Sequence, residues 1–263
     1  MRQLLHYLYN CNKKKIWVLY TGFITVSLIL FFYMTGSSKR TLLDKQETTL
    51  ILFTLLIAIT TFSLFLLTMS SFRKMTGNSM IRYTAISAKR YLYANVIFFI
   101  LMFSLIFVTS IIFLYFFSFY ISEVQKVGLI QQLIKNLYSY GMIHHFFSMF
   151  LWLVDLVNLL VMLIFISVII KAFRVKPGIG KILFVFAFLV SAGIYGFSLD
   201  IVEKMGNSII FIKYAGVTNE RGYFDTSFYP YDGLNVFSLC YECLLTFVLV
   251  SITSYIIDKK LEV

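Results

Sequence analysis

Apolar residues arrive in long unbroken blocks rather than at a period of two or in narrow stripes. Runs free of Asp, Glu, Lys and Arg cover 16–38, 48–72, 91–122 and 182–199, and two more, 136–170 and 233–257, are each interrupted by one acid. A helix crossing a bilayer needs about 20 apolar residues. The blocks therefore predict an all-α polytopic membrane protein with six transmembrane helices, at about 16–34, 49–69, 94–121, 146–170, 182–199 and 235–257. All belong to a single transmembrane domain spanning 1–263. The third block is longer than a span requires. It is expected to begin as an interfacial elbow around Tyr91 and Tyr93 before entering the bilayer.

The connecting stretches have their own patterns. Residues 1–15 place Leu4, Leu5, Leu8 and Cys11 on one helical face, ahead of Lys13, Lys14 and Lys15. This pattern predicts a short interfacial helix, with a frayed leader as the other reading. The first apolar run is too long for the core of a signal peptide and reads as the first span. Between spans three and four, Val127, Ile130, Leu133, Ile134 and Leu137 recur at helical spacing, predicting an amphipathic helix on the outer surface or a shallow re-entrant one. Pro177-Gly178 predicts a tight turn between spans four and five. The outer segment 200–234 holds a strand-like run, Ser208–Tyr214, and is too short to bury a core of its own.

Composition agrees with the pattern and charge orients it. The chain has 263 residues, 60% apolar and 13% charged, with a net charge of +11. In a soluble chain that excess would point to nucleic acid. Sorted by side, with the N-terminus inside, fifteen Lys and Arg but only Asp258 and Glu262 fall on inner segments, whereas the outer segments balance. The excess is a positive-inside bias. It predicts cytoplasmic N- and C-termini and a multi-pass protein of a cell membrane, a bacterial plasma membrane being the expected one, with lipid rather than nucleic acid as its surroundings.

The inner segment between spans two and three carries the clearest motif. Residues 70–95 hold five cations, Arg73, Lys74, Arg82, Lys89 and Arg90, and no acid. Gly77-Asn78 breaks the preceding helix. Ser79 and Ser87 stand at N-cap positions, and Met80, Ile81 and Tyr83 are available to a partner. The stretch Thr84-Ala85-Ile86-Ser87-Ala88-Lys89-Arg90-Tyr91-Leu92-Tyr93-Ala94 follows an apolar helix and the turn Phe72-Arg73-Lys74. It resembles a pattern in the permease subunits of type 2 ABC exporters, roughly Thr/Ser-Pro-Ile/Val-Ser-Arg-x-x-Tyr-x-x-Ala. Ala85 and Ala88 depart from the family's proline and arginine. The resemblance implies that this segment holds a short amphipathic coupling helix docking on a separate ABC ATPase. Phe72, Arg73, Lys74, Met80, Ile81, Arg82, Tyr83, Ser87, Lys89 and Arg90 would be its coupling residues. It also implies a second permease subunit, identical or homologous, with ATP and Mg bound by the partner ATPase and no cofactor on this chain.

The chain carries no nucleotide-hydrolysing motif of its own. Gly178-Ile179-Gly180-Lys181 lacks the spacing and hydroxyl of a phosphate-binding loop. No paired histidines with an acid lie within a span, so an intramembrane enzyme is not expected. Within the spans, Asp155, with Asn158 and Ser148 on a similar face, and Glu242, in a stripe with Ser238, Thr246 and Thr253, are the polar exceptions. An acid in hydrocarbon costs about 2.5–3.5 kcal/mol on insertion scales and so faces protein or water. Two readings stand: Asp155, Asn158, Glu242 and Thr246 line a substrate path favouring a cationic or amphipathic cargo, or they are interhelical hydrogen bonds. Cys240-Tyr241-Glu242-Cys243 is read as two small residues one turn apart rather than a redox or metal site with His144 and His145; no metal is expected. Gly193, Gly196, Ser191, Ala192 and Ser198 form a small-residue patch, suited to a dimer seam or to packing within the chain.

The expected function is that of a permease subunit of an ATP-driven exporter moving an amphipathic peptide, drug or lipid outward, an antimicrobial peptide among them. The alternative is an ion- or proton-coupled secondary transporter using Asp155 and Glu242.

Overall fold

The computed structural model describes residues 1–35, 42–77, 87–124, 141–206, 211–213 and 233–261. Among them are six long helices: α1 (Arg2–Thr35), α2 (Leu42–Gly77), α3 (Ala88–Val124), α4 (Gly141–Ala172), α5 (Pro177–Gly206) and α6 (Val236–Ile256). All six are long and apolar enough to cross a membrane. Three-residue strands β1 (Phe211–Lys213) and β2 (Gly233–Asn235) form one antiparallel ladder, Phe211 opposite Asn235. A π-helical turn over Ile257–Leu261 follows α6.

The helices are longer than the apolar blocks because charged and polar flanks continue them. The expected break between an interfacial helix over 1–15 and the first span is absent. α1 is one helix of 34 residues, about 50 Å at 1.5 Å per residue. Its leading part is packed against protein: Leu8 and Asn12 are buried, and Asn12 Nδ2 donates to Ser71 Oγ on α2 at 2.8 Å. Nothing in residues 2–35 breaks a helix, since proline is absent and Gly22 is tolerated within a long apolar run. Around Tyr91, where an elbow is expected, the backbone is helical, as α3 runs unbroken from Ala88.

The turn expected at Pro177-Gly178 lies earlier. α4 ends at Ala172, Arg174 adopts a left-handed backbone (φ 51°), and Pro177 is the first residue of α5. Proline's fixed φ and missing N–H suit the first position of a helix, where the N–H would have no partner.

Contacts divide the chain into two compact units. One comprises Met1–Ser71 and Ile97–Phe147, the other Phe72–Val96 and Ser148–Val263. The first is held by aromatic side chains from α1, α2 and α3. The ring of Phe53 lies 6.3 Å from Phe23, 6.3 Å from Phe113 and 5.2 Å, edge-on, from Phe117. In hydrocarbon, water expulsion does not drive helices together; close packing and hydrogen bonds do. Edge-on phenyl rings supply the first, and Asn12 with Ser71, and the Tyr20 hydroxyl donating to the Met102 carbonyl, supply the second.

The second unit contains α4 from Ser148 onward, α5, α6 and the helix ends that flank 78–86. It holds both intramembrane acids and the described part of the motif segment.

Candidate functional site

A polar cluster lies where α4, α5 and α6 meet in the second unit. Asp155 and Asn158 stand one turn apart on α4. Tyr195 and Ser198 do the same on α5. Ser238, Glu242 and Thr246 form a stripe at four-residue spacing on α6, which puts them on one face. The Tyr195 hydroxyl donates to Glu242 Oε1 at 2.9 Å, and the Asp155 carboxyl lies close enough to the Glu242 carboxyl for the two charges to interact. Thr246 Oγ1 donates to Asn158 Oδ1 at 3.3 Å, and the Tyr241 hydroxyl donates to Ser198 Oγ at 2.6 Å. Asn158 also lies beside the Tyr195 hydroxyl. Glu242 and Asn158 are buried; Asp155, Tyr195 and Thr246 are half-buried.

The structure thus brings together all four residues of the anticipated path, Asp155, Asn158, Glu242 and Thr246. It adds Tyr195 and Ser198 from α5, which sequence reading missed. Tyr195 is one of 18 tyrosines and lies within a predicted span as Tyr20, Tyr115 and Tyr241 do, so its position did not set it apart. A span's end is where tyrosine ordinarily anchors, so a tyrosine well inside one needs a partner for its hydroxyl.

The end of α5 and the start of α6 are tied by one side chain. Asn235 Oδ1 accepts from Phe237 N (3.0 Å) and Ser238 N (3.4 Å), capping α6, while its Nδ2 donates to the Glu203 carbonyl near the end of α5 at 3.2 Å. This bracket sets the register at which Tyr195 meets Glu242.

The opposite end of the unit carries the basic residues. Phe72 is buried; Arg73, Lys74, Ser87, Lys89 and Arg90 are exposed. Met80, Ile81, Arg82 and Tyr83, where the coupling helix is expected, lie outside the described residues, as do Ser79 and Val127, Ile130, Leu133, Ile134 and Leu137 of the amphipathic helix expected between spans three and four. What is described are the two anchor points of the segment. Lys171 Nζ, at the end of α4, donates to the Thr76 carbonyl at 3.1 Å, meeting one of the open carbonyls that end α2. Ala88 N, the first amide of α3, donates to Asp258 Oδ1 at 3.1 Å. Ser87 occupies the position preceding α3, and its carbonyl accepts from Arg90 N at 2.9 Å. The carboxylate satisfying the first amide of α3, however, comes from Asp258, 170 positions away. Two cation–π contacts add to the anchoring: Arg73 lies 5.9 Å from the Phe184 ring and Lys89 5.5 Å from the Phe247 ring.

Cys240 and Cys243 are exposed free thiols, and among the described residues no group of three metal-binding side chains comes together. The side chains of His144, His145 and Ser148 are outside the described set. At Gly193 and Gly196 a Cβ would meet nothing within 4 Å, so these glycines pack against no described part of the chain. Ser198, from the same patch, faces Tyr241.

Six membrane-length helices with a buried polar cluster define a multi-pass membrane protein. Compared with known proteins, the chain matches no family model, no curated protein and no solved structure.

Proposed function

We propose that this chain is the membrane-spanning permease subunit of an ATP-driven ABC exporter, moving an amphipathic substrate outward with a separate ATPase. The observation that carries the reading is the double anchoring of the 78–86 segment. The Thr76 carbonyl before it is held by Lys171, and the Ala88 amide after it by Asp258. A motor pressing on that segment from the cytoplasm would act directly on α4 and α6, the helices that carry the acid pair. The residue pattern at 84–94 and the cationic excess at this end support the same assignment, with this end cytoplasmic and a second permease subunit completing the pathway. Hydrolysis of ATP belongs to the partner, and Arg82 and Tyr83 on the segment would touch it.

The test is isolation from native-like membranes. Co-purification of a Walker-type ATPase, and loss of coupling between its turnover and transport in an Arg82→Ala/Tyr83→Ala variant, is the expected result. A chain that purifies alone and transports under a proton gradient would sink the reading. That outcome belongs to the second reading, a proton- or ion-coupled transporter, which the closeness of Asp155 to Glu242 favours. Collapse of the proton gradient with ATP maintained separates the two.

A further inference from the structure

Two buried polar atoms beside the acid pair are left without a partner. Ser238 Oγ lies one turn from Glu242 on α6, and Asn158 Nδ2 one turn from Asp155 on α4. Neither makes a hydrogen bond among the described residues, and the side chains are only 8% and 4% exposed. With its Oδ1 taken by Thr246, Asn158 presents Nδ2 beside the Tyr195–Glu242 contact. Buried polar groups are nearly always paired, and an exception calls for something that pairs them.

We propose that the cluster is a binding site for the primary ammonium group of an amphipathic cargo. The proposal deepens the exporter reading by naming the cargo's head group, and in that sense rests on it. A primary ammonium has three N–H donors and no acceptor. The cluster presents three acceptors: the Asp155 carboxyl, the Glu242 carboxyl and Ser238 Oγ. Asn158 Nδ2 then has an ionised carboxylate oxygen to donate to, and the Tyr195 hydroxyl keeps Glu242 oriented through Oε1.

The charge balance is that of an exchange. Two carboxylates side by side and away from water cannot both stay ionised without a cation, so with one proton held the pair alone carries a single negative charge. When R–NH3⁺ enters, that proton leaves to water and both carboxyls are ionised around the ammonium. One positive charge replaces another and the cluster's net charge is unchanged. The titratable groups that reach Glu242 are Asp155 from α4, Tyr195 and Glu203 from α5, and Cys243 on its own helix. No lysine or arginine lies within the apolar runs that hold the pair, so a cation must come from outside the chain. The apolar part of the cargo has a place beside the site: Ile194 and Leu244, the neighbours of Tyr195 and of Cys243 next to Glu242, are 65% and 63% exposed, and Trp152, one turn from Asp155, is 43% exposed.

The experiment uses the purified full chain in lipid nanodiscs with dodecylammonium as the probe and empty nanodiscs subtracted. Titration calorimetry in two buffers of different ionisation enthalpy reads affinity and protons released. The expected result is saturable binding with about one proton released per probe. Dodecyltrimethylammonium, which has no N–H, should bind at least about tenfold more weakly, and Ser238→Ala should weaken dodecylammonium by about threefold to tenfold. Glu242→Gln should abolish the proton release. Equal binding of the two probes, unchanged affinity and proton release in both variants, or binding without proton release would overturn the proposal. Full displacement by sodium at equal concentration would overturn it too, by showing a site for an inorganic ion. No ATPase is present, so failure here is separate from failure of the co-purification test.

Discussion

Asp258 Oδ1 accepts the backbone N–H of Ala88 at 3.1 Å. A residue of the π-helical turn near the end of the chain thereby supplies the cap for a helix that begins 170 positions earlier. The carboxylate sits where the N-terminal end of α3 concentrates partial positive charge. A single hydrogen bond thereby links the turn after the last helix to the start of α3, next to the segment that the exporter reading assigns to the ATPase.

Removing that acceptor has a local consequence. Asp258→Ala should cost about 1 kcal/mol at the start of α3, the usual worth of an N-terminal cap. Hydrogen exchange of the amides at 88–91 should accelerate by roughly fivefold to tenfold. Asp258→Asn keeps an acceptor and should show a smaller change. Identical exchange in all three proteins would mean that the contact does not order this helix end.

The Tyr195–Glu242 bond is open to a double-mutant cycle. Tyr195→Phe keeps the ring and removes the donor; Glu242→Gln keeps the shape and removes the charge. Interhelical hydrogen bonds in membrane proteins average about 0.6 kcal/mol, with a maximum near 1.7. A coupling energy of about 1 kcal/mol is expected from reversible unfolding in mixed micelles. A value near zero would place the hydroxyl elsewhere in solution.

Arg174 is the described non-glycine residue with a left-handed backbone, φ 51°. Such a conformation costs a residue with a Cβ roughly 1 kcal/mol and glycine little. Arg174→Gly should therefore raise the unfolding midpoint slightly, offset in part by the greater freedom glycine has when unfolded. Arg174→Val, β-branched, should lower it. The two variants moving together would indicate that the side chain rather than the backbone matters.

Under the exporter reading, Asp155→Asn should impair transport of cationic cargo by tenfold or more while sparing neutral cargo of the same size. The measurement is uptake into inverted vesicles with matched substrates. Equal loss for both cargoes would assign Asp155 a purely structural role between α4 and α6.

Much of the architecture was legible before any coordinates. Six apolar blocks became six helices of membrane length, and Ser208–Tyr214, read as a strand, contains β1. Less legible were the places where helices end. The run through 1–15 into α1 could not be told from two helices, because Lys13, Lys14 and Lys15 look like an interfacial stop yet form helix readily. Pro177-Gly178 looked like a turn. Proline suits a turn and a helix start equally, and only the left-handed Arg174 decided between them.

At the candidate site the acids stood out, because a charge in hydrocarbon is rare and expensive. Their partners did not, because tyrosine, serine and asparagine are ordinary in such helices. Asp258 was visible as one of two acids among many cations on the inner segments, but nothing local linked it to Ala88.

The number and order of the spans and the presence of two acids within them were determined by the sequence alone, since each follows from the transfer of side chains between water and hydrocarbon, a property counted residue by residue. Which acid meets which, that Tyr195 completes the pair, and that Lys171 and Asp258 hold the two ends of the basic segment were decided only by the tertiary structure. These are contacts between helices far apart in the chain. Hydropathy puts each side chain at a depth in the membrane, but it does not set the rotation of one helix against another.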